Sequence, residues 1–477
     1  MEREELAGLG REELLELAVR QQQAVIAGQR ELIDRLEGVA AAQAARIAEL
    51  EAEVARLGGG PPKTSGNSSV PPSQGFKANR AERRARRRRG GHDGISRRRQ
   101  VPDVIVRCRP ERCEGCGAGL PVAGQRRVGR SQVVELPPVR PVVVEAWRYA
   151  ARCRGCGVRT VAQVPAGLEP SRAFGPSAEA TVAYLHERHH LSYERLVETC
   201  ADLFGLRLSE GAVAGMLARL AERARPAYDA IGAEVRAGPV VHSDETSARV
   251  RGKNWWQWVF GTPDASYHVI APSRGGDVVD AFLGDAAPEV WCSDLWAPQV
   301  LTAAGAHQVC LGHQLRDLTY AVEADGPEGR AWATALRHVL GRAIRLHHER
   351  GRVSPAAFAR RRTRIDRATD RLVFGPPLAP KTEAHRLQQR YRTHRDSLYV
   401  FLHRDDVEPT NNAAERDLRN SVIHRKVTGG YRSAWGAEAS AIFTSLLATA
   451  RKRGDNLYDA LRAVAGPSPL RAAGMAT

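Results

Sequence analysis

The stretch Pro239-Val-Val-His-Ser-Asp-Glu-Thr-Ser247 decides how the rest of the chain is read. Paired valines ahead of a polar end read as a buried strand, Val240–Asp244, that brings a carboxylate to its tip. Alternate residues of a strand point to opposite faces, so of Asp244 and Glu245 only one can face a given site, and Asp244 is the choice. Working outward, Arg251-Gly-Lys253 reads as a turn, Trp255–Phe260 as a second strand and Tyr267–Ala271 as a third. A helix near Asp277–Leu283 follows. Next come a strand Glu289–Ser293 ending at Asp294, another helix, and a strand Gln308–Leu311. Trp255, Trp256 and Trp258 suit sheet packing. Cys310 and His313 have ligand-like spacing and read as a buried thiol and a core histidine.

The order is β-β-β-α-β-α-β. In a ribonuclease-H-like sheet of this order the first and fourth strands lie side by side and parallel, which makes Asp244 and Asp294 neighbours. Two carboxylates a few ångströms apart repel unless cations sit between them, and hard oxygen donors suit Mg²⁺ or Mn²⁺. A third acid stands in Pro409-Thr-Asn-Asn-Ala-Ala-Glu-Arg-Asp-Leu-Arg419. Asn412 with Glu415 has the spacing of a capping box, in which the glutamate only folds back onto the backbone. In the alternative, Glu415 projects from the helix start and joins the distant aspartates around metal.

A formal charge of +17 and a pI near 10.0 over 477 residues point to a polyanion partner. No apolar run reaches the roughly 18 residues of a membrane span, and Met1-Glu-Arg-Glu-Glu5 lacks the order of a secretion signal. The expectation is a cytoplasmic, nucleoid-associated protein whose eight cysteines are reduced.

Residues 1–58 are read as a coiled-coil helix. Ile26, Ile33, Leu36, Ala40, Ile47, Leu50, Val54 and Leu57 form a heptad seam suited to a homodimer, or alternatively to packing on the same chain. Residues 59–103 form a basic arm too polar to fold alone, whose Arg83, Arg84, Arg86, Arg87, Arg88 and Arg89 would grip DNA phosphates. Residues 104–165 hold Cys113-x-x-Cys116-Gly and Cys153-x-x-Cys156-Gly around a β-rich stretch that includes Val139–Tyr149. Two such knuckles supply the four thiolates of a closed, structural Zn²⁺ site. Residues 170–237 read as helices Ser177–Arg188, Ser192–Phe204 and Ser209–Ala224, each with a serine cap. They make either a helix-turn-helix contacting DNA through Arg207 and Arg219 or a plain three-helix module. Residues 238–325 begin the core, 326–405 are an Arg- and His-rich helical insertion, and 406–465 complete the core with the Glu415 helix, where Arg416, Arg419, Arg425 and Lys426 would meet phosphate.

The zipper, Asn67–Ser73, the paired knuckles, Asp-Glu-Thr at 244–246, Cys-x-x-His at 310–313 and Thr410-Asn-Asn-Ala-Ala-Glu-Arg416 together resemble transposases of the insertion-sequence-66 type, which have a DDE catalytic core. The resemblance implies a triad of Asp244, Asp294 and Glu415 and two Mg²⁺ or Mn²⁺ ions per site. It also implies 3′-end cleavage and strand transfer on the element's terminal inverted repeats and target DNA, with companion proteins possible. Leu295 and Trp296 follow Asp294 where the family usually has glycine and tyrosine, and Asp317 stands where it tends to have a base. The alternatives are a zinc-ribbon DNA-binding regulator, or domesticated inactive relative, and a nuclease without strand transfer.

Overall fold

The computed structural model describes residues 98–475 except 171 and 473, and before them residues 10, 19–20, 22–33, 35–40, 42–43, 61, 63, 64 and 67. Arg83, Arg84, Arg86, Arg87, Arg88 and Arg89 lie outside the described residues, as does the second half of the heptad seam. The chain divides into two compact units, Met1–Phe76 with Leu311–Arg395, and Lys77–Cys310 with Asp396–Thr477.

In the larger unit a short antiparallel hairpin, β1 (Ala150–Arg152) and β2 (Arg159–Val161), flanks the second cysteine knuckle. Val139–Tyr149, expected as strand, carries no strand pairing. Pro137, Pro138 and Pro141 explain this, because each removes a backbone donor and fixes φ. Helices follow. Ser192 and Ser209 cap Tyr193–Phe204 and Glu210–Arg236, accepting from Arg195 N and Ala212 N, and Gly205 closes the former at φ 64°. Ser177 is not a cap: Gly175 holds that place and Pro176 is the first helical residue of Pro176–Ala183. The third helix runs past Ala224 and through Pro226, because Tyr228, Ile231 and Val235 are buried and reward its continuation.

The main sheet is built from β3 (Val240–Val250), β4 (Lys253–Gly261), β5 (Ser266–Ala271), β6 (Val290–Ser293) and β7 (Ala306–Val309), in the order β5-β4-β3-β6-β7. A two-residue turn joins β3 to β4, with Arg251 and Gly252 at φ 51° and 74°, the pattern of a type I′ hairpin. β3, β4 and β5 pair antiparallel, whereas β3, β6 and β7 run parallel. The first and fourth core strands are thus neighbours, as the element order predicts. Leu311 belongs to a helix and not to the last strand.

One face of the sheet packs Trp258, Phe260 and Trp291, all fully buried, with Tyr228, Ile231 and Val235 of the long helix and Phe282. Phe260 and Phe282 stack with ring centres 4.0 Å apart. β5 is an edge strand, and the buried helix Ala434–Arg453 covers it. Ser445 Oγ accepts from His268 N at 2.8 Å and Thr449 Oγ1 from Ser266 N at 3.0 Å. Edge amides that could template aggregation are therefore occupied.

Glu179 is fully buried and meets three guanidinium groups: Arg172 and Arg223 at 2.8 Å and Arg219 at 3.3 Å. Arg219, one of the two arginines expected to contact DNA in this region, is thus an ion-pair partner inside the helical module. Arg172 also donates to Ala465 O at 2.9 Å, tying the module to the C-terminal helices.

The smaller unit contains helices Leu311–Ala324, Pro327–His348, Pro355–Val373 and Glu383–Thr393 around buried Trp332, Leu336, Leu387 and Tyr391. Buried Asp325 accepts from Glu383 N at 3.0 Å and Ala384 N at 2.6 Å, neutralising the start of the last helix. Asp317 pairs with Arg390 at 2.6 Å, which gives this departure from the family pattern a structural role. Asn67, in the stretch expected as an unstructured arm, is buried and donates to Glu323 at 2.5 Å. The described part of the N-terminal segment is helical, and Ile26, Ile33 and Leu36 are exposed on it.

Two outcomes follow from these packings. Glu179→Ala strands Arg172 in the interior without its partner, and chemical denaturation should register a loss of about 3–5 kcal/mol. His424 stacks on Tyr431 and faces His186 and His190; burial first, and then those imidazoles, push its pKa down to about 3. The fold holds it neutral while the unfolded chain protonates near 6.5, so its contribution is complete above that value and is lost as pH falls toward 3. Buried Glu187, whose carboxyl is raised by desolvation, acts in the opposite direction. Melting curves between pH 7 and 4 should therefore fall less steeply for His424→Asn than for the parent.

Candidate active site

Asp244 stands on the face of β3 turned toward the Glu415 helix, Asn412–Thr428. Its partner across the antiparallel pair is Val259. Opposed residues share a face, and Val259 packs against Ala414 and Leu418 of that helix. Two residues on, Thr246 Oγ1 accepts from Arg425 Nη1 at 3.5 Å, so the helix follows this face of β3.

Asp294 directly follows β6. The parallel register pairs Val240 with Val290, Val241 with Trp291 and His242 with Cys292. The ladder ends there; by parity Asp294, just past the end of β6, falls on the face that carries Asp244.

Glu245 turns the other way, opposite fully buried Trp258. Arg274 donates twice to its Oε1, at 3.0 and 2.8 Å, and Gln299 Nε2 donates to Oε2 at 2.9 Å. The Arg274 guanidinium lies 4.5 Å from the Trp256 ring centre and 4.1 Å from that of Trp296. Glu245 is thus a structural acid, and Trp296, at the position where the family usually has tyrosine, serves its clamp.

Of the two readings of Asn412 and Glu415, the capping box does not form. The N-cap is Asn411, one residue earlier, and its side chain makes no capping bond. Glu415 is then the fourth helical residue, one too far along for the reciprocal glutamate of a capping box. Asn411 Nδ2 donates instead to Ser243 O at 2.7 Å, and Asn411 N to Cys310 Sγ at 3.2 Å.

The fold therefore brings together the three segments that carry Asp244, Asp294 and Glu415, all half-buried. Among the described residues the three carboxylates do not form a group with all ligand atoms within 4.8 Å, and neither do the four knuckle cysteines, whereas Asp294 and Cys310 do approach that closely.

On the outer side of the Glu415 helix lies a cavity of about 830 Å³ lined by Arg188, Arg416, Arg419, Arg451 and Lys452, with Asp405, Asp406, Glu408 and Asp417 among the acids. Lys452 pairs with Asp417 at 2.9 Å, while Arg416 and Arg419 are exposed. Arg425 is drawn to Ser247 on β3 and so helps to seat the helix.

Each cysteine knuckle has the same backbone. Cys113 N bonds Ala118 O and Gly117 N bonds Cys113 O, both at 2.9 Å; Cys153, Gly157 and Val158 repeat the pattern. Gly117 and Gly157, at φ 73° and 70°, supply the left-handed turn. The amides of Cys116 and Gly115, and of Cys156 and Gly155, hold the Cys113 and Cys153 thiols below their ordinary pKa. Such thiolates suit Zn²⁺.

The segments that carry these acids mark the candidate site, and comparison with known proteins gives the family of the chain. The sequence profile of the Transposase IS66 family matches residues 172–439, more than half of the chain. The protein belongs to the Transposase IS66 family. It is also similar to "Uncharacterized protein y4jD" of Sinorhizobium fredii (strain NBRC 101917 / NGR234), 23% identical over 400 residues that cover 75% of this chain and 74% of that one.

Sequence reasoning passed over Asn411 and the Glu245 clamp. Asn411 lay within the quoted motif, and its signal was a polar amide at the residue that opens the helix. Glu245→Ala should lower stability by about 2–4 kcal/mol in urea unfolding, because Arg274 loses its partner.

Proposed function

We propose that the protein is the transposase of an insertion sequence that cuts its element's 3′ ends and joins them to target DNA, using Asp244, Asp294 and Glu415 as a DDE triad in a ribonuclease-H-like core. The observation that carries this reading is the parallel register of β3 and β6, with the Glu415 helix seated on the same face. Three carboxylates are the hard donor set that Mg²⁺ or Mn²⁺ takes, two ions per site. Bound there, the cations supply activation of water or a 3′ hydroxyl and stabilisation of the leaving oxygen. The chain's own part is to hold those carboxylates and to meet phosphate with Arg416 and Arg419, exposed on the helix that carries Glu415.

Cys113, Cys116, Cys153 and Cys156 hold one structural Zn²⁺ as a ribbon. The ribbon, the helical module and the arm with Arg83, Arg84, Arg86, Arg87, Arg88 and Arg89 bind the terminal inverted repeats. The N-terminal zipper pairs two protomers, a role that the exposure of Ile26, Ile33 and Leu36 supports. Companion proteins encoded by the element complete the machinery, and the work takes place on cytoplasmic, nucleoid DNA. No described helix is long and apolar enough to cross a membrane.

That the three carboxylates do not all lie within 4.8 Å of one another favours a second reading, a zinc-ribbon DNA-binding regulator or domesticated relative without catalysis. Incubation with terminal-repeat DNA and Mg²⁺ separates the readings: joined products mark a transposase, cutting alone a nuclease, retention alone a binder. Asp244→Asn, Asp294→Asn and Glu415→Gln should each cut joining by on the order of a thousandfold, as loss of about 4 kcal/mol of metal-borne stabilisation implies, while gel-shift affinity for the repeat stays within twofold or so. Metal analysis should find about one Zn²⁺ per chain, lost in Cys113→Ser with Cys153→Ser.

A further inference from the structure

We propose that Asn411 is the positioning residue of this site, the centre of a hydrogen-bonded clasp that fixes the residues before both aspartates relative to the start of the Glu415 helix. The inference rests on the triad reading above.

The clasp has three links. Asn411 Nδ2 donates to Ser243 O at 2.7 Å, Asn411 N donates to Cys310 Sγ at 3.2 Å, and Cys310 N donates to Ser293 O at 2.9 Å. Its two ends are meaningful positions. Ser243 precedes Asp244 and Ser293 precedes Asp294, while Asn411 opens the helix that carries Glu415. One asparagine therefore touches β3 directly and β6 through the residue after β7. All four members are buried: Ser243 is 0%, Asn411 1%, Cys310 2% and Ser293 3% exposed. Water does not compete for these bonds, and such bonds hold geometry better than surface ones.

The chemistry explains the residue types. An N-cap asparagine ordinarily turns its side chain onto its own helix. Here the side chain makes no such bond and the backbone sits at φ −88°, ψ 27°, outside the extended conformation usual for a cap. Asn411 gives up local helix stability to hold a strand. Aspartate could not replace it, because an ionised carboxylate has no N–H to offer and would face the Ser243 carbonyl with like partial charge. Cys310 acts here as an acceptor with the long reach of sulfur. A site built for metal must hold its ligands to about half an ångström, and groups that never touch the ion do that work.

The test compares wild-type protein with Asn411→Asp, which keeps the shape and removes the donor, and with Cys310→Ser, which keeps an acceptor. Two readouts are taken on full-length protein: backbone amide exchange, and joining of terminal-repeat DNA across a Mg²⁺ titration. Asn411→Asp should speed exchange of Cys310 N and of the first-turn amides of the Glu415 helix by at least tenfold, and leave β4 and β5 unchanged. It should also move the Mg²⁺ midpoint for joining at least tenfold upward, with rate partly restored at high metal and repeat-DNA affinity intact. Cys310→Ser should stay within about threefold of wild type in both. Unchanged exchange at Cys310 and the helix start in Asn411→Asp overturns the clasp. Faster exchange with an unmoved Mg²⁺ midpoint overturns its positioning role. Wild-type protein that joins no DNA at any Mg²⁺ concentration sinks the transposition reading instead, and the exchange arm then decides the clasp alone.

Discussion

Parallel pairing of two short strands, Val240–Val250 and Val290–Ser293, is the constraint on which the site depends. Side chains alternate along a strand, so a slip of one residue would send Asp294 to the face occupied by Trp258 and Phe260. The core forbids that slip. Trp291 is fully buried beside Phe260, and its Nε1 donates to Gln299 Oε1 at 3.1 Å. Val241, its partner on β3, is equally buried. Apolar packing on one face of the sheet thus sets which side chains point to the other.

The same interior handles its remaining acids by pairing them. Glu179 has three arginines, Glu245 has Arg274 and Gln299, and Asp417 has Lys452 and the Ser266 hydroxyl. A charge taken from water without such partners costs several kcal/mol, so these groups are part of how the chain folds. Neighbouring acids in sequence are sorted by strand parity: Asp244 goes to the face that meets the Glu415 helix and Glu245 to the clamp. In the Glu415 helix, Arg425 leans onto β3 while Arg416 and Arg419 remain exposed. A strongly basic chain therefore uses several of its arginines internally, and their number overstates how many are left for DNA.

Much of the core was legible because its signals are local. Valine pairs, the Arg-Gly turn and alternating aromatics gave the strand order, and parity alone separated Asp244 from Glu245. What escaped depended on distant partners. Asn412 and Glu415 match a capping box as well as any sequence can, and only the strand carbonyl waiting at Ser243 pulls the cap back to Asn411. Arg219 looked like a DNA contact until Glu179, forty positions away in sequence, claimed it. Val139–Tyr149 has strand-forming residues, and its upstream prolines should have lowered that expectation. The third helix of the module, expected to end at Ala224, runs on through Pro226, where burial of Tyr228, Ile231 and Val235 outweighs the one lost hydrogen bond. The cysteine knuckles, with their glycines, were readable outright as local turns; whether they share one ion is a question of tertiary closure.

The central claim is that Asp244, Asp294 and Glu415 share divalent cations. Crystals of the protein with terminal-repeat DNA and Mn²⁺, with data collected to exploit manganese anomalous scattering, address it directly. The account predicts anomalous peaks within about 2.5 Å of carboxylate oxygens from all three residues. Peaks elsewhere, or none in a complex whose DNA is ordered at the site, would contradict it.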